Sequence, residues 1–147
     1  MATPPRALGN GGKMYFYRKG NKYKNKKVVV NGIEYDSRAE AIRGQELEAL
    51  QAAGEICDLR RQVPFELLPT QREAPTRGKR GGIIKGKVIE KAVTYIADFC
   101  YTDKDGHTIV EDVKGLRTKE YIIKRKMMLF FHGIRVQEIT TRGKRNG

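Results

Sequence analysis

The chain has 147 residues, which is room for one domain of ordinary size. Its 30 Lys and Arg against 17 Asp and Glu leave a formal charge of +13, the balance of a protein that meets a polyanion. No apolar run approaches the ~18–20 residues needed to cross a bilayer, which excludes a membrane-spanning helix. The first residues lack the apolar core of a secretory signal, and two cysteines, Cys57 and Cys100, are too few for a disulfide framework. The expected location is therefore the cytoplasm.

Residues 1–27 hold eight basic residues and no acidic one. Lys13, Arg18, Lys19, Lys22, Lys24, Lys26 and Lys27, interleaved with Tyr15, Phe16, Tyr17 and Tyr23, make this stretch a flexible arm suited to phosphates, its rings free to stack on bases. A solubilising tail is the plainer reading of the same residues. Asn31-Gly32 between two β-prone runs predicts a hairpin over 26–35. Ser37 with Glu40 three residues on forms a capping box, and Ala39, Ile42, Ala49, Leu50 and Ala53 recur at helical spacing, predicting a helix over 38–53 that Gly54 ends. Ile56 to Leu68 is expected to be extended, with Pro64 marking an edge strand or bend.

The segment 70–91 is basic and glycine-rich and reads as a long mobile loop, with Arg77, Lys79 and Arg80 as candidate DNA contacts. Residues 93–101 and 107–114 are β-prone runs joined by the turn TDKDG. A helix from Thr118 to about Phe131, closed by Gly133, follows; its Lys119 is a further candidate DNA contact, and Met127 to Phe131 are expected in the core. A last strand spans 134–139. The order hairpin, helix, strand, hairpin, helix, strand predicts an α+β or α/β fold with a mixed sheet, as a domain over 28–140 between the basic arm and a basic tail at 141–147.

The 93–101 and 107–114 strands are apolar almost throughout, so both faces are expected to be buried, and charges inside them are costly unless paired or placed on a metal. Asp98, Asp112 and Lys114 stand out on that ground. Period-two alternation puts Asp112 and Lys114 on one face of their strand, with Asp98 across from them on the partner. Two carboxylates and an amine suit phosphodiester hydrolysis: the carboxylates can hold Mg²⁺, and the lysine can orient or deprotonate water and offset transition-state charge. Glu111 points to the opposite face in a regular strand and ranks second to Asp112 as a ligand, since a bulge would exchange them. A buried salt bridge of Asp98 with Lys114, with Asp112 as a strand-end cap, is the purely structural alternative; for Glu40 that alternative is its capping role alone. Cys57, Cys100, His107 and His132 lack the CxxC or HxxxH spacing of a zinc site.

The residues ADF at 97–99 followed by VEDVKG at 110–115 resemble the Asp…(Asp/Glu)-x-Lys core of the PD-(D/E)xK nuclease superfamily, with Ala97 in place of the nominal proline. The order of elements also matches Glu40, in DSRAEA, to the glutamate that the superfamily carries on a helix before the first core strand. The run from GIEYDSRAEA through YIADF to VEDVKGLRTKEY is similar to an uncharacterised phage and prophage family assigned to that fold, to junction-resolving endonucleases of tailed phages and to transposon end-cleaving nucleases. The resemblance covers about 33–139. It implies a restriction-endonuclease-like mixed sheet flanked by helices, metal ligands Asp98, Asp112 and Glu40, catalytic Lys114, and a divalent metal as cofactor, here expected to be Mg²⁺ or Mn²⁺, with Glu111 kept as the second-ranked ligand from strand geometry. It further implies DNA cleavage in a phage or prophage setting, on branched or partly single-stranded DNA. With one site per domain, a homodimer is one way to cut both strands. The alternative is a non-catalytic nucleic-acid-binding protein that keeps the fold.

Overall fold

The computed structural model of the chain describes residues 26–140. The arm up to residue 25, with Lys13, Arg18, Lys19, Lys22 and Lys24 and its aromatic residues, and the tail at 141–147 lie outside the described residues.

Strands β1 (Val28–Val30) and β2 (Ile33–Tyr35) form the predicted hairpin, with Asn31 at φ 51° and Gly32 at φ 77°, the two left-handed residues that a type I′ turn needs. Helix α1 (Arg38–Ala52) starts where expected, Ser37 Oγ accepting from the Glu40 backbone N–H at 3.1 Å. Its inward face differs from the periodicity reading. Glu40, Ala41, Gly44 and Leu47 are buried, while Ile42, Ala49 and Leu50 face outward. Tyr35 decides this: it lies so close to Gly44 that a Cβ there would sit 2.7 Å from Tyr35 Cε1, and only the glycine stripe of the helix can approach the hairpin.

The central sheet has four strands in the order β10, β9, β8, β3. Strand β3 (Cys57–Leu68) is an edge, which is how Pro64 is tolerated in it. It pairs antiparallel with β8 (Val93–Thr102), which pairs antiparallel with β9 (Thr108–Lys114). Helix α2 (Lys119–His132) is capped by the Thr118 side chain and by Gly133 at φ 65°, and returns the chain to β10 (Gln137–Thr140), parallel to β9. The fold is thus the mixed α+β arrangement expected, although the last strand starts at Gln137 rather than 134.

The segment between β3 and β8 is not a loop. It forms a two-part antiparallel ribbon, β4 (Gln71–Arg72) with β7 (Val88–Glu90) and β5 (Thr76–Arg77) with β6 (Ile83–Ile84). Among the described residues, no helix is long and apolar enough to cross a membrane.

One core lies on each face of the sheet. Tyr35, Ala41, Leu47, Phe99 and Tyr101 pack under α1 and the first hairpin, and Leu67, Tyr95, Ala97, Cys100, Val110, Tyr121, Met128 and Val136 pack under α2. Met128 is the buried anchor of its helix, but Leu129, Phe130 and Phe131 are exposed, because a single sheet face can cover only one stripe of α2.

Candidate active site

The alternation along β8 breaks at one residue. Tyr95 and Ala97 face α2, whereas Phe99 and Tyr101, of the same parity, face α1. The residue between them is Asp98. Across the ladder, where Arg61 pairs with Phe99 and Val63 with Ala97, sits Gln62 in the left-handed region at φ 50°. A non-glycine residue pays strain there, and such strain persists only where the surroundings fix it. The two strands therefore turn over together at Gln62 and Asp98. The β8–β9 ladder also ends beside them, at Phe99 with Glu111. With the strands parted, Asp98 Oδ2 accepts from the backbone N–H of Val113 at 2.8 Å in place of a ladder bond.

Strand β9 alternates regularly, and this separates its two acids. Asp112 and Lys114 face α2, with Lys114 Nζ 2.9 Å from Asp112 Oδ1, and the Tyr95 hydroxyl donates to Asp112 Oδ2 at 2.9 Å. Asp112 is 2% exposed. Lys114 Nζ also lies 4.3 Å from the centroid of the Tyr121 ring, which holds the ammonium over an aromatic face. The ion pair of the structural alternative thus forms with Asp112 and not with Asp98. Glu111, ranked second as a ligand, faces α1 and is engaged there: Arg43 donates to it twice, Nε to Oε2 at 2.8 Å and Nη2 to Oε1 at 2.7 Å, and the Tyr101 hydroxyl donates to Oε1 at 2.6 Å.

Glu40 reaches the site from α1. Its Oε1 accepts from Gln62 Nε2 at 3.0 Å, and the same amide lies 3.4 Å from Asp98 Oδ1, so Gln62 spans the two carboxyls. Glu40 Oε2 accepts from the backbone N–H of Asp36 at 3.3 Å. Its side chain thus also caps the helix start, one residue short of the Ser37 N–H that a capping box would use. Arg61 Nη2 stands 3.8 Å from Glu40 Oε1, its guanidinium 4.1 Å from the centroid of the Tyr35 ring.

Electrostatics single out Asp98. Burial, then the facing Asp112 carboxyl, push its carboxyl well above the usual carboxylate range, against the pull of the Val113 N–H. Burial, with Asp36 nearby, also raises Glu40. Carboxyls crowded in this way favour sharing a proton or a cation. The donor set is all hard oxygen, which fits Mg²⁺ or Mn²⁺. The three carboxyls form a row rather than a tight triad, with Asp98 in the middle. Asp112 and Lys114 open on a cavity of about 270 Å³ whose walls include Thr94, Tyr95, Thr118 and Tyr121.

Among the described residues, the tight acidic group is elsewhere: Asp103, Asp105 and His107 have ligand atoms within 4.8 Å of one another. It lies at the far end of the β8–β9 hairpin, and the turn itself accounts for it. Asp103 Oδ1 accepts from the backbone N–H groups of Asp105 at 2.9 Å and His107 at 2.8 Å. The side chain of His107 is exposed, as the turn reading expects, and Cys57, Cys100 and His132 belong to no such group.

Sequence reasoning missed Gln62, Tyr95, Arg61 and Arg43. Apolar residues of β3 recur at 57, 59, 63, 65 and 67, so Arg61 is the polar residue that breaks the alternation and was the available local signal; nothing local marks Gln62, Tyr95 or Arg43. Of the expected DNA contacts, Arg77, Lys79 and Arg80 lie on the ribbon, Lys119 is exposed at the first turn of α2, Lys26 is exposed, and Lys27 pairs with Glu34 at 2.6 Å.

A family model described as "Protein of unknown function (DUF1064)" matches residues 20–145, most of the chain. No curated protein and no solved structure matches it.

Proposed function

We propose, from the premise that the chain belongs to the DUF1064 family of proteins of unknown function, that it is a Mg²⁺-dependent DNA endonuclease. The observation that carries this reading is Asp98, bonded to the Val113 N–H where the β8–β9 ladder ends, facing the Asp112 carboxyl, with the Lys114 ammonium 2.9 Å from Asp112 and both of the latter lining a cavity. Buried carboxyls without a matching number of cations cost stability, and a fold keeps them where a ligand compensates. In this reading Asp98 and Asp112 hold the metal, with Glu40 as a further oxygen donor. Bound there, the ion would polarise the phosphate and lower the pKa of a water.

The chain's own residues do the rest. Tyr95 and the Val113 N–H fix the rotamers of Asp112 and Asp98, so their free lone pairs are aimed before a ligand arrives. Lys114 is held between Asp112 and the Tyr121 face, from which it orients the attacking water and offsets charge on the phosphoryl oxygens. Water adds to phosphorus and releases a proton to solvent, the P–O bond to the sugar breaks, and the leaving oxygen takes up a proton from solvent. Glu111 is a structural residue in this scheme. The excess of basic residues supplies backbone affinity for DNA in the cytoplasm of a host cell, and branched or nicked DNA is the substrate class that suits a chain with no recognisable sequence-reading module.

The test is incubation with nicked, branched, single-stranded and linear duplex DNA in Mg²⁺ or EDTA, using wild type, Asp112→Asn and Lys114→Ala. Mg²⁺-dependent cleavage lost in both variants, with DNA binding retained, is expected. Cleavage that survives both substitutions overturns the site, and binding without cleavage of any substrate assigns the chain a non-catalytic role.

A further inference from the structure

The ribbon between β3 and β8 has no structural task within the domain. Every residue from Gln71 to Glu90 is exposed except Gly78 and Gly86. Ile83 is 79% exposed and Ile89 63%, so the ribbon has no core of its own. Two-stranded ribbons without a packed face are marginal in water, which points to a surface completed by a partner.

Its shape is nevertheless specified in detail. Gly78 to Gly81 form the end turn: the Gly81 N–H donates to Gly78 O at 2.9 Å, and Gly81 takes φ 82°. Lys79 and Arg80 are the two residues at the tip. Midway, Gly86 lets the strands cross closely, since a Cβ there would lie 1.9 Å from the Glu73 carbonyl oxygen.

Charge identifies the partner. Residues 71–90 carry six Lys and Arg against Glu73 and Glu90, a net +4. Among the described residues, none of the six cations forms an ion pair. A second copy of the ribbon would repel the first, whereas phosphates on both sides would compensate it. The major groove of B-form DNA, about 12 Å wide, admits a two-stranded ribbon. Ten residues per strand at ~3.3 Å reach at most ~33 Å, about one turn of the duplex. The ribbon continues the two strands that lead to the site, and Thr94, four residues past Glu90, lines the cavity of Asp112 and Lys114.

We propose that the ribbon 71–90 enters the major groove of a B-form DNA duplex and seats it beside the candidate active site, with Arg77, Lys79 and Arg80 on the phosphates that line the groove. The proposal rests on the reading of DNA as the substrate and goes beyond it in naming a duplex arm as the part held and the groove as the point of entry.

The test measures binding of the full chain in EDTA to a 20-base-pair DNA duplex, the same sequence as an RNA duplex, and the DNA duplex with bulky C5 substituents on its pyrimidines, across a salt series. The variant is Arg77→Ala/Lys79→Ala/Arg80→Ala, whose exposed positions should leave the melting temperature unchanged. Wild type should bind the DNA duplex at least tenfold more tightly than the variant, with a log–log salt slope steeper by about 2.7, from about 0.9 per phosphate contact. That difference should shrink on C5-substituted DNA, where the groove is blocked, and on RNA, whose major groove is too narrow. Equal binding of variant and wild type to DNA overturns the proposal, as does an equal ribbon effect on RNA. Cleavage is scored separately: wild type that never cuts but shows the ribbon effect refutes the nuclease and leaves the ribbon standing, and cutting without the effect does the reverse.

Discussion

Glu111→Gln separates a structural acid from a ligand with the least ambiguity. Glu111 is 1% exposed and takes three donors, two from Arg43 and one from Tyr101. Glutamine keeps the volume, so no cavity opens, but its amide turns an N–H₂ group toward a guanidinium that needs an acceptor. Removing one partner of a buried ion pair costs ~3–5 kcal/mol. Arg43 is less stranded than that range assumes, since its side chain is 22% exposed and keeps Glu46 at 2.9 Å, so ~2–3 kcal/mol is expected. At ~4 °C per kcal/mol for a domain of this size, the melting temperature should fall by ~8–12 °C. Because β9 turns Glu111 away from Asp112, Mg²⁺-dependent cleavage measured 20 °C or so below the variant's midpoint should stay within a few-fold of wild type. Thermal denaturation followed by circular dichroism, paired with a cleavage assay at that temperature, reads both quantities. A variant that melts like wild type yet no longer cleaves would refute the assignment and make Glu111 a ligand.

Three further outcomes follow from the same geometry. Glu40→Gln should cost no more than ~1 kcal/mol, because an amide oxygen still accepts from Asp36 N–H and relief of repulsion from Asp36 and Asp98 offsets the lost Gln62 contact, while cleavage falls by orders of magnitude; unchanged cleavage removes Glu40 from the site. Gly44→Ala should destabilise by ~1–3 kcal/mol in denaturant titration, since its Cβ meets the Tyr35 ring at 2.7 Å, and an unchanged midpoint would show that the α1–hairpin contact is loose. Burial alone would raise the Glu138 carboxyl, but Arg125 and Arg117 outweigh it and hold it below the usual carboxylate range. A depressed folded pKa gives stability that is present above the unfolded pKa of ~4.5 and lost as pH falls through the folded one. Wild type should therefore lose more stability than Glu138→Gln in melts taken from pH 6 to pH 3, and parallel losses would refute the pairing.

The sequence by itself determined the elements whose signals are local. Asn31-Gly32 imposes a turn by its φ angles, Ser37 and Thr118 satisfy the first N–H groups of their helices, and Gly133 ends α2 because it can be left-handed. Asp112 and Lys114 share a face because strand alternation has period two, and that much of the candidate site was legible with no fold at all. Everything that depends on a partner from elsewhere in the chain was decided by tertiary structure. The buried stripe of α1 is set by Tyr35 packing on Gly44, not by the apolar spacing of Ile42 and Leu50. Met127 to Phe131 read as one apolar block, yet a helix on a single sheet face can bury only one stripe, and Phe130 is left 82% exposed. Gln62 enters the site only because β3 and β8 turn over at the same rung, and Glu111 leaves it because Arg43 stands on the opposite face. The basic ribbon looked like a loop because its residues are glycines and cations; backbone pairing on both sides of the tight Gly78–Gly81 turn, which no local propensity reports, makes it a strand pair.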